Sequence, residues 1–293
     1  MHWNQISFEV NKLEADLASE VLIGLGSISI TYSDAQDNAI FEPPVGETPL
    51  WEFIRITALF QSEVNSKLII DSLIEICNIK VNDIIKLKNK IWEDECQKDF
   101  PSMQFGKKLW VCPSWDSKLV IPSDAITIKI DPGLAFGTGT HQTTRLCLEY
   151  LDENPPKALT VIDFGCGTSI LAIAAAKLGA KRVIAIDNDP QAVIASRENV
   201  AKNNSESFIK ILNSIEKMEL KYCDLLMANI LTNPLIELES QFSELVKPNG
   251  SILLSGILEE QVEKVIDCYS KNFNNIKIKN KEEWFRISAM RNN

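Results

Sequence analysis

Two acids and two glycines at fixed intervals over residues 161–187 are the part of this chain best suited to chemistry. The run Val161-Ile162-Asp163-Phe164-Gly165-Cys166-Gly167-Thr168-Ser169 carries an apolar stretch into an acid and a glycine turn. An apolar helix follows, and Arg182-Val183-Ile184-Ala185-Ile186-Asp187 ends a second apolar stretch in another acid. A strand, a glycine turn, a helix and a second strand closed by a carboxylate form the βαβ unit that holds an adenosine cofactor. Asp187 lies 22 residues beyond Gly165, which places its carboxylate at the end of the second strand, in reach of both ribose hydroxyls. A dinucleotide fingerprint needs a third glycine where this chain has Ile170. An acid two residues before the first glycine, as Asp163 is, suits a ligand with a charged amino-acid tail better than a pyrophosphate. S-adenosylmethionine is such a ligand.

A third segment belongs to the same edge. Asn229-Ile230-Leu231-Thr232-Asn233-Pro234 follows the apolar run Cys223 to Ala228, and open α/β sheets bind ligands at the carboxyl ends of such strands. The amide of Asn229 offers a carbonyl acceptor to the N–H bonds of an attacking amine and so aligns its lone pair. Taken alone, an asparagine there caps a turn; beside the two upstream signals it becomes the candidate that orients the amine. The fourth segment, Asp131-Pro132-Gly133-Leu134-Ala135-Phe136-Gly137-Thr138-Gly139-Thr140-His141-Gln142-Thr143-Thr144, puts glycines and hydroxyls just before a helix. Thr143 or Thr144 can cap that helix while facing the site; if the segment is instead a flexible interdomain loop, His141 is a solvated loop residue. G-x-S-x-G, H-E-x-x-H and a Walker lysine are all missing, so serine hydrolysis, zinc proteolysis and nucleoside triphosphate hydrolysis lack their usual residues.

The elements that must position these residues fall into two groups. Trp3 to Val10, Ser27 to Tyr32, Trp51 to Phe60 and Ile84 to Leu87 read as strands, with helices over Lys12 to Leu25 and Val64 to Cys77. That β-α-β-β-α-β order fits a small ferredoxin-like α+β sandwich. Lys90 to Phe100, ended by Pro101, reads as a connecting helix. The division expected is therefore a substrate-recognition domain over residues 1–89, a linker helix over 90–104 and a cofactor domain over 105–293. Within the last, helices are expected at Gln191 to Lys202, Pro234 to Val246 and Glu259 to Ser270. Strands are expected near Phe208 to Leu212, at Ser251 to Ile257, Ile276 to Ile278 and Trp284 to Ser288, with a turn at Lys247-Pro248-Asn249-Gly250. The fold class is α/β, a Rossmann-like sheet with a smaller N-terminal domain.

At 293 residues, 45% of them hydrophobic, the chain has enough apolar material for two packed cores. Its seven cysteines are dispersed and form no C-x-x-C pair, which points to a reducing compartment and against a structural zinc site. No metal is expected. The N-terminus lacks signal-peptide regions and no run of about 18 apolar residues occurs, so the expected location is the cytoplasm, away from membranes. A net charge of -10 disfavours a long phosphate-tracking surface and direct nucleic-acid binding, and favours a basic partner.

Four runs, Asp131 to His141, Val161 to Gly167, Ile186-Asp187-Asn188-Asp189-Pro190-Gln191 and Ala228 to Leu231, closely resemble the PrmA family, the methyltransferases of large-subunit ribosomal protein eleven. The likeness extends over the whole chain, taking in Phe105 to Trp115 and Glu282-Glu283-Trp284. The Asp163 and Asp187 pattern alone marks class I methyltransferases; the D-P-G-x-A-F-G-T-G run is far more specific. The resemblance implies an S-adenosylmethionine enzyme that methylates lysine and α-amino nitrogens of that ribosomal protein, its N-terminal domain holding the substrate; the chain is expected to act as a monomer. Matched position by position, it implies cofactor contacts at Thr144, Gly165, Asp187 and Asn229; the residues themselves add Gly167 and Asp163. Four positions depart from the family pattern: Ser169 stands at a usual glycine, Gln142 at a usual proline, Thr232-Asn233 at small residues, and Cys96 at an aromatic. These bear on affinity and domain docking rather than on reaction type. Methylation of RNA, of a planar amide or of another protein, a cofactor-binding relic without turnover, and a dehydrogenase remain the alternatives. The first is disfavoured because Leu231-Thr232-Asn233 supplies no ring to stack on a flipped base.

Overall fold

The computed structural model describes residues 2–36, 49–79, 81, 84–88, 100–116, 122–131 and 137–293. The chain divides into two compact units, Met1–Glu95 and Cys96–Asn293.

In the first unit, alternation along the strands builds one covered sheet face. Strand β1 (His2–Asn11) buries Ile6, Phe8 and Val10, and β3 (Phe53–Gln61) buries Ile54, Ile56, Ala58 and Phe60. Both strands turn residues such as Glu9 and Arg55 outward, and these two form an ion pair. With β2 (Ser29–Asp34) and β4 (Ile84–Lys88) the order is β2-β3-β1-β4, antiparallel throughout. Helix α1 (Lys12–Gly24) opens on a capping box, in which the Asn11 side chain accepts from Leu13 N while Asn11 N donates to Glu14. Its Ala15, Ala18 and Leu22 join Ile69 and Leu73 of α2 (Ser66–Cys77) in the core of this unit. The ferredoxin-like expectation holds element by element. Residues 41–48, part of the turn-rich stretch that the sequence places between β2 and β3, lie outside the described residues.

The second unit begins with strands that periodicity did not reveal. β5 (Met103–Phe105), β6 (Leu109–Cys112) and β7 (Ile126–Lys129) make a three-stranded sheet. Met103 and Gln104 are thus in a strand and not in the expected linker helix, of which residues 90–99 lie outside the described residues. Three- and four-residue strands are too short to show a period of two. The hairpin turn between β5 and β6 is held instead by the Asp152 carboxylate, which accepts from Lys107 N, Lys108 N and Leu109 N at 2.5, 3.0 and 3.1 Å.

The main sheet has seven strands: β8 (Thr160–Phe164), β9 (Arg182–Ile186), β10 (Ile209–Leu212), β11 (Cys223–Asn229), β12 (Val246–Leu258), β13 (Phe273–Lys281) and β14 (Trp284–Arg291), in the order β10-β9-β8-β11-β12-β14-β13. The first five in that row are parallel, and β14 runs antiparallel between β12 and β13. Their near-continuous apolar sequences follow from burial on both faces. Val161, Val183, Ala185, Leu225 and Met227 enter one core; Ile162, Ile184, Ile186, Leu226 and Ala228 enter the other. The helices are α3 (Gln142–Glu153), α4 (Ile170–Lys177), α5 (Pro190–Lys202), α6 (Thr232–Glu237), α7 (Glu239–Leu245) and α8 (Val262–Tyr269).

Two expectations change here. The single helix expected from Pro234 to Val246 is two, because Leu238 sits at ψ 0° and Glu239 turns inward to accept a hydrogen bond from Asn272 at 2.9 Å. The Lys247–Gly250 turn is an excursion inside the long strand β12: Val246 pairs with Cys223 and Ser251 with Leu225, while Asn249 takes φ 61°. Asp224, from the facing strand, pairs with Lys247 across this excursion.

Candidate active site

The parallel register fixes where the candidate residues lie. Ile186, Phe164, Ala228 and Leu254 stand in one row across β9, β8, β11 and β12. The next residues out are therefore Asp187, Gly165, Asn229 and Ser255, side by side at the carboxyl edge. Numbered within the sheet, the strand order is 3-2-1-4-5-7-6, and the chain reverses its direction of travel between β8 and β11. That switch point, where Gly165 and Asn229 adjoin, is where such sheets bind ligands.

Local geometry turns this edge into a cradle. Gly165 N and Cys166 N donate to Ile186 O at 2.8 and 3.0 Å, which folds the turn over the end of β9. Gly165 and Gly167 take φ of 68° and 52°, a region open to glycine at no steric cost. A Cβ at Gly165 would also collide with the Ile230 side chain. The Asp187 carboxylate accepts from Gly167 N at 2.8 Å through one oxygen and from Asp189 N at 3.0 Å through the other. Each oxygen keeps a lone pair for a further donor. Asp163 is buried, and its carboxylate accepts from Ala172 N at 2.9 Å, in the first turn of α4. Burial pushes its pKa up from 3.8 to about 7; the Ala172 bond opposes this and the nearby Asp187 charge adds to it. A cation brought beside Asp163 would relieve that penalty. Two carboxylates with these needs, at the mouth of a glycine turn, fit a ligand with a vicinal diol and an ammonium group.

Asn229 Nδ2 donates to Thr144 Oγ1 at 3.3 Å. Two of the expected contacts thus meet, and the Asn229 carbonyl oxygen stays available as an acceptor. Thr144 is buried on α3 and caps nothing. The cap of α3 is His141, whose Nδ1 accepts from Thr143 N at 3.3 Å and lies 2.7 Å from Thr143 Oγ1. This corrects two expectations: neither threonine is the cap, and His141 is not a solvated loop residue. Its ring meets Trp284 edge-on at 4.8 Å, and burial lowers its pKa against the opposing charges of Glu283 and Glu282.

The Asp131–His141 run is described only in part, residues 132–136 lying outside the described residues. Its ends are pinned. Asp131 accepts from Ser114 N and Oγ at 2.6 and 2.8 Å and pairs with Lys202, and these bonds outweigh burial to hold its carboxyl below the usual range. At the other end, Thr168 Oγ1 donates to Gly137 O at 2.5 Å.

The departures are each accommodated differently. Gln142 Nε2 donates to Glu282 at 2.6 Å, leaving its Oε1 buried without a partner. Thr232 is buried, and its hydroxyl donates at 2.7 Å to Gln261 Oε1, which also accepts from Leu258 N at 3.0 Å. Sequence reasoning missed Gln261 and Asp152; only Gln261 had a signal, as a polar residue just past a strand that ends at the same edge. Ser169 adopts φ 62°, the left-handed conformation expected of a glycine, and directs its hydroxyl to Ser196 in α5. The Ser169 side chain is fully buried and bonded to α5, and its cost is backbone strain. Cys96 lies outside the described residues.

A seven-stranded sheet of this order, its seventh strand antiparallel, with a glycine turn and strand-end acid at the switch point, defines a class I methyltransferase fold. Residues 2–292 match the family described as ribosomal protein L11 methyltransferase (PrmA). The chain belongs to that family. It is 46% identical over 292 residues to ribosomal protein L11 methyltransferase of Haemophilus influenzae (strain PittEE), covering 99% of this chain and 98% of that one. It is 45% identical over 292 residues to the protein of the same name from Pasteurella multocida (strain Pm70), covering 99% of each. Among solved structures, ribosomal protein L11 methylase from Lactobacillus delbrueckii subsp. bulgaricus superposes with a TM-score of 0.61 at 31% identity, over 66% of this chain and 100% of that one.

Proposed function

We propose that this protein is an S-adenosylmethionine-dependent methyltransferase that modifies lysine and α-amino nitrogens of ribosomal protein L11, acting as a monomer in the cytoplasm. The observation that carries the reading is the family match over residues 2–292; the strand-end cradle supports its cofactor half. When bound, S-adenosylmethionine supplies a methyl group made electrophilic by its sulfonium. Asp187 would hold the ribose hydroxyls, Gly165 and Gly167 would admit the cofactor close to the backbone, and Asp163 would offset the charge of its ammonium. Thr144 fixes the Asn229 amide by accepting from Nδ2, and the Asn229 carbonyl accepts an N–H of the incoming amine, pointing the lone pair inward.

Lysine has a reference pKa near ~10.4, so at pH 7 fewer than about one side chain in a thousand is neutral. The positive cofactor disfavours a second cation beside it, and proton release to water suffices without a strong base. Alignment then accounts for most of the acceleration. We assign substrate recognition to residues 1–89 and methyl transfer to residues 105–293. The test is intact-mass analysis of purified ribosomal protein L11 after incubation with this enzyme and S-adenosylmethionine. Mass gains in steps of one methyl group support the proposal; an unchanged mass, with an authentic family enzyme active in parallel, overturns it.

A further inference from the structure

The carbonyl side of the glycine turn is held by helix α5. Ser196 Oγ donates to Gly167 O at 2.7 Å, and Asn199 Nδ2 donates to Thr168 O at 3.1 Å. The N–H of the same Gly167 donates to Asp187 at 2.8 Å. Gly167 is therefore gripped at both ends of its residue, by a side chain from the end of β9 and by one from the helix that follows it. Ser169 adds a third hydroxyl beneath the turn, because its Oγ donates to Ser196 Oγ at 2.8 Å. Both serines are fully buried.

A serine hydroxyl has one proton and two lone pairs. With a lone pair of Ser196 occupied by the Ser169 proton, the Ser196 proton is left for Gly167 O, and a chain of such bonds polarises each member toward the next. Helix α5 is capped by Asp189, whose N–H is held by Asp187. The ribose-facing carboxylate and the turn are thus tied to one rigid element. We propose that Ser196 is a positioning residue for the cofactor turn, acting through Gly167, and that Ser169 serves it by fixing the direction of its proton. The inference rests on the reading that this turn binds S-adenosylmethionine. It also gives a reason for a serine at a left-handed position: the hydroxyl offsets part of the strain that glycine would avoid.

The test measures affinity for S-adenosylhomocysteine by calorimetry at 20 °C, with melting temperature recorded separately, on full-length protein. Undetectable binding by the wild type would remove the cofactor reading itself, a failure distinct from those below. With wild-type binding in hand, Ser196→Ala is expected to weaken affinity about tenfold, since loss of one directed hydrogen bond is felt at the turn. Ser169→Ala, which loses the hydroxyl and keeps the left-handed backbone, is expected to weaken affinity about fivefold. The double variant Ser169→Ala/Ser196→Ala is expected to match Ser196→Ala alone, because Ser169 acts only through Ser196. Ser196→Cys nearly fills the same space but donates weakly, so it too should lose affinity and serves if the alanine variant fails to fold. Wild-type affinity in Ser196→Ala or Ser196→Cys, with only the melting temperature lowered, would reduce the serine to a packing role and overturn the proposal. Additive losses in the double variant would overturn the part assigned to Ser169.

Discussion

Replacing Asp187 by alanine removes two sets of interactions at once, and the structure separates them. The first set is internal: the carboxylate accepts from Gly167 N at 2.8 Å and Asp189 N at 3.0 Å. Asp187 is only half-buried, so water replaces the carboxylate at those two N–H groups, and their loss should cost about 1 to 2 kcal/mol in total. For a domain near this size that lowers the melting temperature by roughly 2 to 8 °C. The second set is the pair of charge-assisted bonds to the ribose that the proposed function assigns to Asp187, at roughly 1.5 to 3 kcal/mol each. Together they set a loss of about 3 to 6 kcal/mol in cofactor binding, or at least ~10²-fold in affinity. Calorimetric titration with S-adenosylhomocysteine reads the second effect and thermal unfolding without ligand the first. Asp187→Asn keeps one carbonyl acceptor and should fall between wild type and alanine in both. Binding by Asp187→Ala within tenfold of wild type would refute the ribose assignment, because a carboxylate placed beside Gly165 by register alone would then have no ribose partner.

Asn229→Ala should lower the single-turnover rate by about 10²-fold with saturating cofactor, while affinity falls less; an unchanged rate would make Asn229 a structural cap. Asn229→Asp should bind cofactor but favour the protonated amine, so its rate should recover as pH rises. Asp163 titrates near 3.8 when free and at about 7 in the fold. Between those values the folded protein alone holds the proton, so the ligand-free protein loses stability as pH rises from about 4 to 7 and regains none above. Asp163→Asn should abolish that slope, leaving the variant more stable than wild type at pH 8 but not at pH 4; parallel stability profiles in urea would refute the assignment. Cofactor affinity of the wild type should rise over the same interval as Asp163 ionises beside the ammonium, and stay flat in the variant. A chain beginning at Cys96, which keeps the β5–β6 pairing intact, should bind cofactor as the whole protein does yet methylate ribosomal protein L11 poorly; full activity would remove substrate recognition from the first unit.

What could be read in the sequence tracks how local its cause is. Strands β1 and β3 announce themselves through alternation, and β8, β9 and β11 through apolar runs whose two halves enter opposite cores. Gly165, Asp187 and Asn229 were legible as strand-end residues because their spacing places each just past such a run. Their shared row could be read only once the strands were paired. The short strands β5 to β7 left no period to detect, and the turn that joins two of them depends on Asp152, more than forty residues away. The cap of α3 was misread for a chemical reason: threonine is a common capping residue and histidine an uncommon one, so His141 was passed over although its Nδ1 does the accepting. Ser169 shows the same limit, since its identity signals an altered turn and only Ser196, brought in by packing, shows where its hydroxyl goes.

Helix α4 carries alanine at four of its eight positions, and every residue but its last is buried. Small side chains let a helix lie close to the strands beneath it, and interiors packed to crystal-like density yield little when a methylene is added. The first turn of α4 is also the outgoing limb of the glycine turn, with Ala172 N bonded to Asp163. Those alanines thus act as a spacer whose thickness sets the width of the cleft mouth. Enlarging Ala174 or Ala175 should lift the helix from the sheet and carry the turn with it, so that a side chain with no part in the strand-end row would still set how the turn sits.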